Sequence, residues 1–125
     1  MKILGITGCR SEYDIILPVI KSLKKRRHNV KIIVSGAHLS NWHGDSLKNI
    51  KLSKLKIASK IYSDYGTNKK DKRTKAISKL INGITETLQK ENPDVLIYAG
   101  DREEGIAAAI ACNYMNVLFA HIAGG

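Results

Sequence analysis

Apolar positions along this chain alternate between two rhythms. Lys2-Ile3-Leu4-Gly5-Ile6-Thr7 is a short apolar run closed by Gly8, the pattern of a parallel strand buried on both faces. From Glu12 to Arg27 the apolar residues Ile16, Val19, Ile20 and Leu23 return at helical spacing. Pro18 interrupts them, which predicts a helix that begins late or bends there. Val30-Lys31-Ile32-Ile33-Val34 is a second strand, closed by Ser35-Gly36, and completes a right-handed βαβ unit. The stretch from Ala37 to Tyr65 is less regular. Asn41, His43, Gly44, Asp45 and Ser46 form a turn-rich loop, and Leu55-Lys56-Ile57 with Ile61-Tyr62 predicts a third strand. A polar stretch starts at Gly66-Thr67-Asn68. Ile77, Leu80, Ile81, Ile84 and Leu88 then mark one face of a long helix that ends before Pro93. Asp94 to Ala99 is the next strand, ending at Gly100; Ile106 to Ala111 is an alanine-rich helix; Val117 to Ala120 is the last strand. Strand and helix alternate throughout, without internal repeat or linker, so the expected fold is α/β: one domain over residues 1–125 built on a doubly wound parallel sheet.

Composition narrows the class. At 125 residues a single domain buries a real core, and with only 6% aromatic residues that core is Ile, Leu, Val and Ala. No apolar run is long enough to span a bilayer and the start carries no signal-peptide architecture, so no membrane partner is expected and the cytoplasm is the expected location. Cys9 and Cys112 are too few for a disulfide framework and read as free thiols. The net charge of +10, from 21 Lys and Arg against 11 Asp and Glu, would attract any polyanion. The basic residues cluster at Lys24 to Arg27, at Lys48, Lys51, Lys54 and Lys56, and from Lys69 to Lys75, with no stacking aromatics among them. Solvated lysine faces therefore fit better than a nucleic-acid surface, and an anionic ligand or an acidic partner domain would account for the remainder.

A parallel sheet brings the C-terminal ends of its strands to one edge. The first strand would deliver Arg10, the second His38, the fourth Asp101 and Arg102, and the last His121. Guanidinium forks suit a diphosphate because they give bidentate, charge-assisted hydrogen bonds and keep their charge near neutral pH. Each group also has a plainer reading: Asp101 as a helix N-cap, Arg10 as a surface residue, the two imidazoles as structural. No G-x-G-x-x-G fingerprint and no Walker A lysine is present, and His121 lies too far from Cys112 for a local zinc pattern, so neither cofactor nor metal is expected.

Four runs in order carry a family likeness: Thr7-Gly8-Cys9-Arg10-Ser11-Glu12-Tyr13, Ile33-Val34-Ser35-Gly36-Ala37-His38-Leu39-Ser40, Gly100-Asp101-Arg102-Glu103-Glu104, and Ala120-His121-Ile122-Ala123-Gly124-Gly125. Together they resemble the hydrolysing UDP-N-acetylglucosamine 2-epimerases over the whole chain. The resemblance implies a Rossmann-like domain, one half of a glycosyltransferase-B-type fold with its active site in the cleft between two such domains. It implies conversion of UDP-GlcNAc to N-acetylmannosamine and UDP in sialic acid or related nonulosonic acid synthesis; relatives acting on UDP-diacetylbacillosamine fit equally. It further implies Asp101 as the catalytic acidic residue, Arg10 on the diphosphate, Arg102 at the leaving group, and His38 and His121 on the sugar side. The partner is then a UDP-sugar shared with a second domain, and a homodimer is a further expectation.

Departures from the family pattern are local and terminal. Cys9 stands where Thr is common, Ser11 where Ala or Pro is usual, and Asp14 where Gly is common. Family members continue beyond the paired glycines with a catalytic Glu and a nucleotide-binding second domain, so the 125 residues by themselves are expected to show no or negligible epimerase activity. A non-catalytic module for an anion or sugar nucleotide, and a basic nucleic-acid-binding domain, are the alternatives.

Overall fold

The structure is a computed structural model and describes residues 1–40, 46–63 and 68–124. In chain order the elements are β1 (Lys2–Thr7), α1 (Arg10–Lys25), β2 (Asn29–Ser35), a 3-10 turn (Gly36–Leu39), α2 (Ser46–Leu52), β3 (Lys56–Ile61), α3 (Lys70–Glu91), β4 (Val95–Ala99), α4 (Glu103–Met115) and β5 (Leu118–Ile122). All five strands are parallel, in the order β3-β2-β1-β4-β5. The order reverses direction between β1 and β4, which makes that junction the topological switch point of the sheet.

Side-chain alternation along the strands divides the core between the two faces. Leu4, Ile6, Ile33, Leu96 and Tyr98 meet Leu80, Ile84 and Leu88 of α3 and Ala107, Ala108, Ala111 and Cys112 of α4. On the other face Ile3, Val30, Ile32, Val34, Val95, Ile97 and Ala99 meet Tyr13, Ile16 and Ile20 of α1 and Ile50 of α2. Gly5 lies under α1, where a Cβ would stand 3.1 Å from Ile20 Cδ1 and 3.2 Å from Ile16 Cδ1, so its lack of a side chain lets the helix sit close. α3 and α4 both stop on an asparagine in the left-handed region, Asn92 (φ 44°) and Asn116 (φ 55°), a conformation Asn tolerates at helix ends.

The alternating strand-helix pattern is the one expected, with local differences. α1 begins at Arg10 and continues through Pro18 as one element; the proline ring lies at solvent instead of against the sheet. Ser46 opens the short helix α2 where only a loop was expected, while Asn41, His43, Gly44 and Asp45 of that loop lie outside the described residues. So do Gly66 and Thr67 of the polar stretch. β5 extends to Ile122, so His121 stands in the strand and not in a turn after it. Exposed apolar residues line α4 and the edge strand: Ile106, Ile110, Tyr114 and Leu118. Among the described residues no helix is long and apolar enough to cross a membrane.

The burial pattern gives a direct test of this core. Ile84 is fully buried between α3 and the sheet, so Ile84→Ala should cost about 3 kcal/mol in urea unfolding through lost burial and a residual cavity. Ile106→Ala, at a half-exposed position on α4, should change stability by less than about 0.5 kcal/mol in the same assay.

Candidate active site

The site is built where β1 and β4 end side by side. β1 runs into Gly8, and α1 starts at Arg10 with Cys9 as its N-cap, yet no side chain caps it. The first intrahelical bond is Tyr13 N–H to the Cys9 carbonyl (3.1 Å). β4 runs into Gly100, whose φ of +141° is a backbone state that side chains rarely adopt. α4 starts after Arg102, its N-cap, again without a side-chain cap. Two helix N-termini with their partial positive charge therefore converge at one sheet edge.

Beneath this rim lies a buried polar layer that the sequence reading did not assign. Glu12 is 3% exposed; its Oε2 accepts from the Gly8 amide (2.7 Å) and its Oε1 accepts from the Tyr98 hydroxyl (2.7 Å). Tyr98 Oη in turn accepts from the Arg102 amide (2.9 Å). Burial and the Glu12 carboxylate hold the Tyr98 phenol well above its usual range, so it stays protonated and donating. Glu104, also buried, accepts from Ser35 Oγ (3.1 Å) through Oε1, while its Oε2 has no hydrogen-bond partner among the described residues. Burial first, then the nearby Glu12 charge, push its carboxyl upward towards the neutral acid. Space for these groups comes from glycines: a Cβ on Gly8 or Gly36 would run into Glu104, and one on Gly100 would stand 2.9 Å from both Glu12 Oε1 and Tyr98 Oη.

The spacing along the helices carried a signal for these acids. Glu12 precedes Ile16 and Ile20 at four-residue intervals, and Glu104 precedes Ala108 and Cys112 likewise. Both fall on the buried stripe of their helix, where a lone carboxylate must find partners. Tyr98 reads in sequence only as part of an apolar strand; its acceptor, Glu12, lies 86 residues away in the chain.

The expected site residues divide between rim and floor. Arg10 is exposed at the start of α1, 3.8 Å from Asp14 in a loose surface pair that leaves its guanidinium open to solvent. Asp101 is exposed in the β4–α4 loop, with no hydrogen bond or ion pair among the described residues, and it is not the N-cap. Arg102 stands next to it. His121 Nε2 meets the Gly100 carbonyl at 2.5 Å, its ring lies 5.2 Å from that of Tyr98, and Gly124 folds back against the imidazole. These four groups share one edge of the sheet.

His38 differs from the expectation of a sugar-facing imidazole. It is 2% exposed in the 3-10 turn, with Nε2 2.9 Å from Thr7 Oγ1 and Nδ1 2.9 Å from Ser46 Oγ. The Thr7 hydroxyl spends its one proton on the Cys9 carbonyl (3.1 Å), so it must accept from Nε2–H, leaving Nδ1 to accept from Ser46. That is a neutral ring, in agreement with a pKa lowered by burial to about 4. His38 braces the loops after β1 and β2 from below.

Other features lie away from this edge. An open cavity of about 250 Å³ at the opposite edge is lined by Lys2, Asn29, Lys31, Lys90, Glu91 and Pro93, with the Lys31–Glu91 pair (2.6 Å) in it. Among the described residues no group of three His, Cys, Asp or Glu side chains is arranged to hold a metal ion.

Comparison with known proteins resolves the family. The family model described as UDP-N-acetylglucosamine 2-epimerase matches residues 21–125. The chain belongs to that epimerase family. It is 34% identical over 125 residues to the UDP-N,N'-diacetylbacillosamine 2-epimerase (hydrolyzing) of Legionella pneumophila, covering 99% of this chain and 33% of that protein. It is 30% identical to a UDP-N-acetylglucosamine 2-epimerase homolog of Methanococcus maripaludis, covering 100% of this chain and 33% of that protein. Among solved structures, the Methanocaldococcus jannaschii UDP-GlcNAc 2-epimerase in complex with UDP-GlcNAc and UDP superposes with a TM-score of 0.80 at 24% identity, over 98% of this chain and 32% of that one. The Neisseria meningitidis enzyme bound to UDP-GlcNAc gives 0.77 at 23% identity, over 98% and 32%. The epimerase-family chain thus spans about a third of the length of these relatives, with a Rossmann-like α/β fold whose structural neighbours include epimerases of the glycosyltransferase-B type.

Protonation of His38 supplies a test of the brace. The unfolded imidazole binds a proton below pH 6.5, whereas the folded ring resists until about 4, so falling pH favours the unfolded chain across that window. The melting temperature should drop between pH 6.5 and 4 more steeply in the native protein than in His38→Gln, with the two curves running parallel above pH 7.

Proposed function

We propose that this chain is the N-terminal Rossmann-like domain of a hydrolysing UDP-sugar 2-epimerase, and that its switch-point edge holds the diphosphate and the reacting sugar. The observation that carries this reading is the exposed carboxylate of Asp101, without a hydrogen bond or ion pair among the described residues, beside Arg102 at the edge where two helix N-termini without side-chain caps converge, with Arg10 at the same edge. Uncapped amide groups and guanidiniums suit a diphosphate; an open carboxylate among them suits proton transfer at the sugar.

In the reaction this supports, a base removes the proton from C2 of the sugar while the C1–O bond breaks, its electron pair leaving on the UDP oxygen. Arg10 and Arg102 stabilise the charge that develops on the leaving diphosphate. Water then adds across the C1=C2 bond of the glycal, hydroxyl to C1 and proton to C2 on the opposite face, which gives the 2-epimer. Asp101 is the proposed proton-transfer residue, and His121, held by the Gly100 carbonyl, orients the sugar. His38 contributes by holding the loops. Net oxidation state is unchanged, so the chemistry requires no redox cofactor.

The relatives support a nucleotide-sugar substrate: hydrolysing diacetylbacillosamine epimerases in Legionella and Campylobacter, and a polysialic acid biosynthesis protein in Escherichia coli. UDP-GlcNAc and UDP-diacetylbacillosamine are both within this reading, with a second domain completing the nucleotide site. Free, buried Cys9 and Cys112 support a cytoplasmic protein, and the apolar stripe of Ile106, Ile110 and Tyr114 on α4 supports self-association.

The remaining two-thirds of the Legionella relative, supplied in trans, should restore release of UDP from a UDP-sugar. Asp101→Asn should abolish that release while leaving UDP affinity within about threefold, and Arg10→Ala should weaken UDP binding by about tenfold or more. Association of the two parts without any release would favour a non-catalytic sugar-nucleotide module. Salt-dependent oligonucleotide binding that survives both substitutions would favour a nucleic-acid role.

A further inference from the structure

We infer that Glu12 and Tyr98 are positioning residues that set the β1–α1 loop and the β4–α4 loop at a fixed distance for the ligand. The inference rests on the reading of the edge as a UDP-sugar site and deepens it. One continuous chain of hydrogen bonds joins the loops: Gly8 N–H to Glu12 Oε2 (2.7 Å), Tyr98 Oη–H to Glu12 Oε1 (2.7 Å), and Arg102 N–H to Tyr98 Oη (2.9 Å). Its direction is fixed by chemistry. Both backbone groups can only donate, so the carboxylate must accept at one end and the hydroxyl must accept from Arg102 while donating to Glu12.

The position of the chain explains why a carboxylate is used. Glu12 is buried to 3% exposure, and an apolar pair of the same volume would join strand and helix without the cost of desolvating an ion. What an apolar pair cannot do is orient two backbone amides. Here one amide leads to Arg10 and the other belongs to Arg102, next to Asp101. α4 has no side-chain cap, and the Tyr98 hydroxyl instead fixes the amide of its N-cap residue, Arg102. The loop rests directly on the pair, since a Cβ at Gly100 would stand 2.9 Å from both Glu12 Oε1 and Tyr98 Oη. The Gly8 amide points inward to Glu12, so it is not among the donors left for an anion. Grip on the diphosphate therefore depends on Arg10 and the α1 start being held at the correct offset from Arg102.

Two substitutions at one position separate positioning from bulk. Glu12→Gln keeps both ends in contact, its carbonyl accepting from Gly8 and its amide donating to Tyr98 Oη, at the cost of the acceptor for the Tyr98 proton; Glu12→Met fills the space and breaks the link. Tyr98→Phe breaks the same link at the other end. UDP affinity per folded molecule, by calorimetry at a temperature where all variants are folded, should fall about tenfold in Glu12→Met and Tyr98→Phe and stay within about threefold in Glu12→Gln. Amide exchange in the ligand-free protein gives an independent readout. Tyr98→Phe should speed exchange at Gly8 as well as at Arg102, although Gly8 does not touch Tyr98. If the breaking variants lower the melting temperature but leave UDP affinity and Gly8 exchange unmoved, the residues are merely structural and the inference is overturned. Should Tyr98→Phe fail to fold, the Glu12 pair decides. Failure of the native protein to bind UDP would overturn the substrate reading instead, and the exchange at Gly8 would still decide whether the loops are coupled.

Discussion

A carboxylate buried at the point where the sheet reverses its strand order governs the geometry of the whole proposed ligand edge. Glu12 hangs from α1 and reaches across to Tyr98 on β4, so the first and fourth strands are joined through a side-chain bridge as well as through the sheet ladder. Arg10 on one side and Asp101 and Arg102 on the other stand on segments fixed by this bridge. Glycine at position 100 follows from the same constraint, because Glu12 and Tyr98 occupy the space a Cβ would need, and at positions 8 and 36 the neighbouring Glu104 does so.

The edge is stratified by charge. Below, Glu12 is held by two donors and Glu104 by one, with Glu104 pushed towards its neutral form by burial and by its acidic neighbour. A neutral ring at His38 adds no charge to this layer. Above, the exposed groups are two arginines, an aspartate and an imidazole. A rim with two guanidiniums above a buried carboxylate favours an anion at the surface and keeps it out of the core. The overall charge of +10 adds a long-range attraction of the same sign.

Most of the fold was legible because parallel strands and their helices announce themselves by apolar period. Ile3 to Ile6, Ile32 to Val34 and Leu96 to Ala99 are unbroken apolar runs, and Ile77 to Leu88 keeps one clean stripe. α2 and the 3-10 turn were not legible, since seven and four residues are too short to show a period. Pro18 misled for a simple reason: nothing in the sequence tells that its ring faces solvent. At the site, the rim residues were legible because strand ends in a parallel sheet must meet at one edge. The floor was not. A glutamate on a helix ordinarily reads as surface charge, and the partners that make Glu12 tolerable inside, the Gly8 amide and the Tyr98 hydroxyl, meet only in three dimensions. His38 lies after β2 as the strand order implies, but buried, because sequence gives the order of strand ends and not their depth.

The proposed UDP-sugar site lies at this one edge, while the alternative anion site for a basic protein is the lysine-lined cavity at the opposite edge. Amide chemical-shift mapping during a UDP titration distinguishes them most directly. The account predicts perturbations concentrated at Gly8 to Ser11 and Gly100 to Glu104. Perturbations confined to Lys2, Asn29, Lys31 and Lys90 would contradict it.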